Sequence, residues 1–260
     1  MKCVIVAAGS STRLRPLTDT LPKCLLSIGG KTILTRAIEN LLKANITKIA
    51  VVVGFEAAKI RSFLNQQFPF VKFQFILNPN FASTNNAYSL LLAGNFFLEP
   101  KSPTKTNSHL LVLDSDIIFH PGLLQMVVGL GEENRIAVRV TGAHDAEEVR
   151  VTLDNSGNIS EIGKDVNPDR TYGESIGIEW FSYESARLLF EVLERRVERG
   201  SGRTEFYEMA FQEMIGLGVK IKAVDASDFP AIEIDSPADL ELAERVIVPS
   251  IDAISNVRIQ

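Results

Sequence analysis

The sequence predicts an α/β protein in which helices cover both faces of a mixed, mostly parallel sheet, a three-layer αβα arrangement. Short, wholly apolar runs such as 4–7 and 110–113 read as strands buried on both faces, as parallel strands between helix layers must be. Between such runs lie apolar residues at helical spacing, and this alternation through the first half marks βαβ units. The length of 260 residues suits one large or two small domains. A chain of that size buries most of its surface without disulfide or metal staples.

Residues 4–7 run into Gly9 as a first strand feeding a turn, and a polar loop covers 10–23. Leu34, Ala37, Ile38, Leu41 and Leu42 define an amphipathic helix over 33–44. A second strand spans 49–54, and Ala57, Ile60 and Leu64 mark a second helix. A third strand at 73–77 is stopped by Asn78-Pro79-Asn80. Asn85 or Asn86 starts a helix through Leu92, and the strand 110–113 ends in Asp114-Ser115-Asp116. Residues 103–108 form a polar surface insertion.

The second half has another texture. Strands are expected at 135–141 and 149–153, with the turn Asp154-Asn155-Ser156-Gly157-Asn158 leading into 159–162 as a hairpin. A further strand covers 175–181, helices 183–198 and 204–216, and a strand 219–225. A closing helix at 236–247 turns Leu240, Ala243 and Ile247 inward. With no Gly-, Pro- or Ser-rich linker and no internal repeat, residues 1–260 read as one domain, its halves near 1–130 and 131–248.

Composition excludes more than it assigns. The net charge, 27 − 32 = −5, offers no clustered Lys/Arg footprint for nucleic acid. No apolar stretch is long enough for a signal peptide or a membrane span, so a cytoplasmic enzyme is expected. Cys3 and Cys24 lack His or Cys neighbours at metal spacing and read as structural. His109, His120 and His144 are scattered and receive no catalytic role.

The strongest signal is Ala7-Ala8-Gly9-Ser10-Ser11-Thr12-Arg13-Leu14-Arg15-Pro16-Leu17-Thr18, closed by Pro22-Lys23-Cys24-Leu25-Leu26. It follows the first strand, where open α/β sheets bind ligands beyond their carboxyl ends. Small residues let the backbone approach a nucleotide, and successive amides form an anion nest. Arg13 supplies a fork of donors and Lys23 a point charge, both suited to phosphates. Neither the dinucleotide Gly-x-Gly-x-x-Gly nor a Walker Gly-Lys-Ser/Thr is present.

This pair of segments resembles the signature of sugar-nucleotide-type nucleotidyltransferases, which join a nucleoside triphosphate to a phosphorylated small molecule and release pyrophosphate. The resemblance implies a Rossmann-like sheet of the nucleotide-diphospho-sugar transferase kind. It implies that Ala7, Ala8 and Gly9 hold base and ribose and that Ser10, Ser11 and Thr12 complete the nucleotide loop. Arg13 would steady the triphosphate and the leaving pyrophosphate, and Lys23 would bind near the reacting α-phosphorus. Both are the catalytic candidates.

The Asp114-x-Asp116 pair ends the fourth strand and faces the same crevice as the loop. Phosphoryl-type transfer needs a divalent cation, usually Mg²⁺ on one or two carboxylates. The resemblance assigns Mg²⁺ to Asp116 and to Asp235 of Glu233-Ile234-Asp235-Ser236-Pro237, with Asp114 beside them on the nucleotide side. Ser236 or Asp235 before Pro237 also suits a helix N-cap.

Lys164 in Glu161-Ile162-Gly163-Lys164-Asp165 resembles the family's second lysine, which binds the acceptor phosphate. Thr84-Asn85-Asn86-Ala87-Tyr88-Ser89 is similar to the cytidylyltransferases that act on phosphocholine and related acceptors. An Asn amide serves both edges of cytosine. A cationic head group would meet carboxylates and aromatic faces, making Glu174, Trp180, Tyr207 and Glu208 candidates. The expectation is transfer of CMP from CTP to phosphocholine, 2-aminoethylphosphonate or a similar small acceptor. The partners are then CTP and that acceptor, with no nucleic acid and no membrane; a homodimer is compatible with such a chain. The alternatives are a hexose-1-phosphate uridylyl-, thymidylyl- or guanylyltransferase and a non-catalytic nucleotide-sensing subunit of the same fold.

Overall fold

Four adjacent parallel strands form one side of the sheet, and the elements around them follow the predicted alternation. The structure is a computed structural model that describes residues 1–98, 109–129, 131–140 and 148–257. The insertion 103–108, Thr141 and His144 lie outside the described residues. The first half comprises β1 (Lys2–Ala7), β2 (Ser27–Ile28), β3 (Lys31–Thr32), α1 (Ile33–Lys43), β4 (Ile49–Val53), α2 (Ala57–Gln67) and β5 (Gln74–Leu77). Next come α3 (Asn86–Leu92), α4 (Gly94–Leu98), β6 (Leu110–Asp114), β7 (Ile117–Phe119) and α5 (Pro121–Gly129). The second half has β8 (Asn134–Arg139), β9 (Arg150–Leu153), β10 (Ile159–Gly163), β11 (Gly173–Phe181), α6 (Tyr183–Glu198) and α7 (Glu208–Gly216). It closes with β12 (Ile221–Asp225), β13 (Ala231–Glu233), α8 (Pro237–Leu242) and α9 (Val248–Val257).

The nine-stranded sheet runs β10-β9-β11-β6-β1-β4-β5, with β8 joining β11 to β12. β6, β1, β4 and β5 are parallel, whereas β11 is antiparallel to β6. Helices cover both faces. Leu34, Ile38 and Leu41 of α1, with Ile60 and Leu64 of α2, pack on Ile5, Val51 and Leu113. Leu90 of α3, Leu189 of α6 and Phe211 of α7 pack on Val4, Val6 and Val112. Each such side chain contributes about 1.5–3 kcal/mol on full burial. A smaller core of Leu14, Ile28, Ile118, Ile232 and Val248 sits under the loop after β1.

Several boundaries differ from expectation. β7 and α5 were not expected, because short apolar runs such as Ile117-Ile118-Phe119 carry no decisive period. α7 starts at Glu208, four residues later than the expected 204, because residues 201–203 form a separate 3₁₀ turn. The closing helix continues past 247 to Val257 through a π turn at 243–247. That widening lies just before Pro249, which lacks the N–H a regular ladder needs. Among the described residues no helix is long and apolar enough to cross a membrane.

Candidate active site

Two tight turns carry the cations. The loop after β1 passes through Ser11 in the left-handed region (φ 47°), and the Thr18 hydroxyl donates to the Ser11 carbonyl at 2.7 Å. Leu14 is buried in the small core, which anchors the turn that presents Arg13. Lys23 opens a 3₁₀ turn after Pro22 and is held by buried Cys24 and Leu25. Gly54 is needed beneath this loop, since a Cβ there would lie 2.7 Å from the Ala8 carbonyl and 2.6 Å from Cβ of Phe81.

β-pairing carries the carboxylates. β13 runs antiparallel to β7 with Glu233 opposite Ile117, and Ile234 N–H donates to the Asp116 carbonyl at 3.0 Å. The alternation of a strand then sends Glu233 and Asp235 to one side and Ile234 into the core. Ser236 caps α8 in a capping box with Asp239, which leaves the Asp235 side chain to the site.

The two sets meet. Lys23 Nζ lies 2.7 Å from Asp116 Oδ2 and 2.8 Å from Asp235 Oδ1, and Arg13 Nη2 lies 2.8 Å from the same Asp235 oxygen. Burial opposes charge on Lys23, yet the two carboxylates outweigh it and hold the ammonium above its ordinary range. For Asp235 the Lys23 and Arg13 charges overcome desolvation and hold its carboxyl below the usual range. Partial desolvation and the facing charges of Asp116 and Asp235 raise the Glu233 carboxyl above its ordinary range.

Asp116, Glu233 and Asp235 each offer an oxygen within 4.8 Å of the others. Asp116 Oδ1 is buried with no hydrogen-bond partner. An all-carboxylate donor set with an unused buried oxygen fits a hard divalent cation such as Mg²⁺. The sequence offered Glu233 within the quoted Glu233-Ile234-Asp235, but period-2 spacing alone did not select it.

One pocket collects most of the predicted residues. Ala7, Ala8, Gly9, Ser11, Arg13, Lys23, Thr84, Asn85, Asn86, Asp114, Asp116 and Asp235 line it, and Ser10 and Thr12 do not. Phe81, Ser89, Phe206 and Glu233 line it too; Ser89 and Glu233 stand inside the quoted segments, but none of the four was assigned a role from the sequence. Asn85 caps α3 by accepting from Asn86 N–H at 2.8 Å. Asn86 Oδ1 accepts from Tyr207 N–H at 2.8 Å, and Asn85 N–H donates to the Arg203 carbonyl at 2.8 Å. The two Asn residues thus tie the loop before α7 to the pocket wall.

The acceptor candidates divide. Lys164 Nζ lies 4.3 Å from the centre of the Phe206 ring, at the pocket wall, and Arg150 donates to the Lys164 carbonyl. Tyr207 donates to Asp114 Oδ2 at 2.9 Å. Burial pushes the Glu208 carboxyl up to about 7. Glu174 does not line the pocket; Arg139 holds its carboxylate through Nε and Nη2 and also donates to the Ala231 carbonyl. Trp180 is corrected outright. It is 1% exposed, stacked on His109 at 4.4 Å with the Arg135 guanidinium 5.0 Å from its ring. Alternation along β11 turns it into the core packed by α1 and α5, not toward the pocket.

Residues 2–162 match the family described as nucleotidyl transferase. Over 259 residues the chain is 29% identical to the CTP:phosphoglutamine cytidylyltransferase of Campylobacter jejuni, covering 93% of this chain and 98% of that one. It is 28% identical over 238 residues to a 2-aminoethylphosphonate cytidylyltransferase of Lancefieldella rimae, covering 91% and 89%. The fold resembles that of CTP:phosphocholine cytidylyltransferase from Streptococcus pneumoniae, with a TM-score of 0.74, 20% identity, and coverage of 94% and 98%.

Proposed function

The chain belongs to the nucleotidyl transferase family, and on that premise we propose that it transfers CMP from CTP to a small phosphorylated or phosphonate acceptor. The observation that carries this reading is the convergence of Arg13, Lys23, Asp116 and Asp235 on the pocket lined by Ala7, Ala8 and Gly9. The cytidine preference is supported by the nearly full-length similarity to relatives named as cytidylyltransferases.

The acceptor's phosphate or phosphonate oxygen is already anionic, so no general base is needed. It attacks the α-phosphorus in line, a new P–O bond forms, and pyrophosphate leaves with the electron pair of the broken bond. Catalysis is then positioning and charge neutralisation. Arg13 and Lys23 exchange their carboxylate partners for phosphate oxygens when the triphosphate enters. Lys164 takes the acceptor's anionic group, whereas Tyr207 and Glu208, both buried and outside the pocket lining, support the wall behind it. Asp116, Glu233 and Asp235 would hold Mg²⁺, which when bound supplies the charge neutralisation that phosphate oxygens require.

The test is a matrix of four nucleoside triphosphates against phosphocholine, 2-aminoethylphosphonate, inositol phosphate and hexose phosphates, read by pyrophosphate release. The expected signal needs CTP and an amine-bearing acceptor. Preference for UTP, dTTP or GTP with a hexose phosphate would replace this reading with a sugar-nucleotide synthase. Silence with every pair would favour a nucleotide sensor.

A further inference from the structure

Phe81, Thr84, Asn85 and Asn86 build one wall of the pocket, and the loop that carries them closes around a single buried amide. Asn78 has no exposed surface. Its backbone N–H donates to the Val53 carbonyl at 2.8 Å, which anchors it to the end of β4. Its side chain ties three further points. Nδ2 donates to the hydroxyls of Thr84 and Ser89, each at 3.0 Å, and Oδ1 accepts from Asn80 N–H at 2.9 Å. Because that N–H can only donate, it fixes which end of the amide is oxygen. The Thr84 hydroxyl donates onward to the Asn80 carbonyl at 2.9 Å. Phe81, enclosed by this network, packs over Gly54 and meets the Phe55 ring edge-on at 6.3 Å.

Donor counting shows why the hub is asparagine. A primary amide carries two N–H donors and one carbonyl acceptor on a single plane, and a hydroxyl carries one proton. Once the Thr84 proton goes to the Asn80 carbonyl, the Thr84 oxygen needs a donor, which Nδ2 supplies. Aspartate has the same shape but only acceptors, and it would set oxygen against oxygen in a buried site. The Ser89 hydroxyl, which accepts from the same Nδ2, directs its proton to the Asn85 carbonyl at 3.5 Å. Neither hydroxyl therefore keeps a proton to offer a ligand. A buried network with its members satisfied holds one arrangement.

We propose that Asn78 is a positioning residue for the nucleotide, which it orders without touching. It does not line the pocket. It carries the rigidity of β4 to the loop that follows β5 and so holds Phe81, Asn85 and Asn86 in place against the nucleotide. A loop keeps a precise geometry when supporting hydrogen bonds lock it. Thr84 then contributes its shape to the wall, while its hydroxyl serves the network. The inference rests on the proposed nucleotide-binding role of this wall. The hydrogen bonds named above do not include Lys164, the acceptor candidate, so the effect of Asn78 falls on the nucleotide first.

The test uses Asn78→Asp, which keeps the shape and loses both donors. Calorimetric titration with CTP, without acceptor and at a temperature where circular dichroism shows the variant folded, should give an affinity roughly 10-fold or more below wild type. With the acceptor found active, KM for CTP should rise likewise, while the acceptor KM stays within about 3-fold. In a double-mutant cycle Thr84→Val should add no cost to Asn78→Asp; a cost that persists would mean that the Thr84 hydroxyl itself meets the nucleotide, against the proposal. Should Asn78→Asp not fold, Thr84→Val and Ser89→Ala each remove one bond of the amide and should each weaken CTP binding about 2- to 5-fold. Wild-type CTP affinity in folded Asn78→Asp, or in both of those variants, overturns the proposal, as does an equal rise in the two KM values. If wild type binds CTP but transfers nothing, the proposed function fails, and the titration still decides the role of Asn78. A wild type that binds no nucleoside triphosphate overturns both.

Discussion

The ammonium of Lys23 lies 2.7 Å from Oδ2 of Asp116, across 93 residues of sequence (116 − 23), and joins the loop after β1 to the segment that follows β6. Lys23 is 11% exposed and Asp116 20%, so water screens the pair weakly. Replacing Lys23 with Met should lower turnover by roughly 10²–10³-fold, measured as pyrophosphate release. It should also leave Asp116 and Asp235 repelling each other. Mg²⁺ should then raise the melting temperature of the variant more than that of wild type.

Glu233 supplies the third carboxylate of the acidic triad. Glu233→Gln should raise the Mg²⁺ concentration for half-maximal activity by about 10-fold or more, with kcat at saturating Mg²⁺ recovered in large part. Titration of Mn²⁺ binding reads the same loss without turnover, and unchanged affinity would remove Glu233 from the site.

Glu208 sets a pH dependence of stability. Its carboxyl moves from the ordinary 4.5 up to about 7 on folding, chiefly through burial. As pH rises, the unfolded chain therefore ionises first and stability falls between these values. Relative to wild type, Glu208→Gln should gain on the order of 3 kcal/mol from pH 4 to pH 8. Urea unfolding at several pH values measures this; parallel curves for the two proteins would contradict it.

Gly177→Ala forces a side chain into the left-handed region and against Asp114. The expected cost is about 1–3 kcal/mol, with a raised KM for CTP. Wild-type stability and wild-type KM in Gly177→Ala would contradict the contact.

Trp180→Leu should lose about 2–4 kcal/mol of stability by opening the space between His109 and Arg135. The acceptor KM should not move, because the ring faces the core. A KM shift without loss of stability would return Trp180 to the site.

Much of the site is legible in the sequence. The Ala7–Gly9 turn, Arg13 and the Asp114/Asp116 pair are local signals, because they stand within a few residues of a strand end whose apolar run is plain, and Lys23 is marked by its own Pro22-Lys23-Cys24-Leu25-Leu26 segment. Asp235 needed the resemblance, since Asp235-Ser236-Pro237 is equally good cap chemistry until Ser236 is seen to take the cap. Trp180 and Glu174 misled, because a residue type suited to a ligand says nothing about which face of β11 it occupies or whether Arg139 already holds it.

The sequence by itself determined the alternation of strands and helices and marked the small-residue loop after the first strand with its Arg13 and Lys23, because these depend on spacing within one segment. Tertiary structure alone decided which distant groups meet. Antiparallel β13–β7 pairing brings Glu233 and Asp235 to Asp116, and the missing side chain at Gly177 leaves room for Asp114. The turn into α7 likewise brings the Tyr207 hydroxyl to Asp114 at 2.9 Å. Register and packing are relations between segments, and no property of either segment alone contains them.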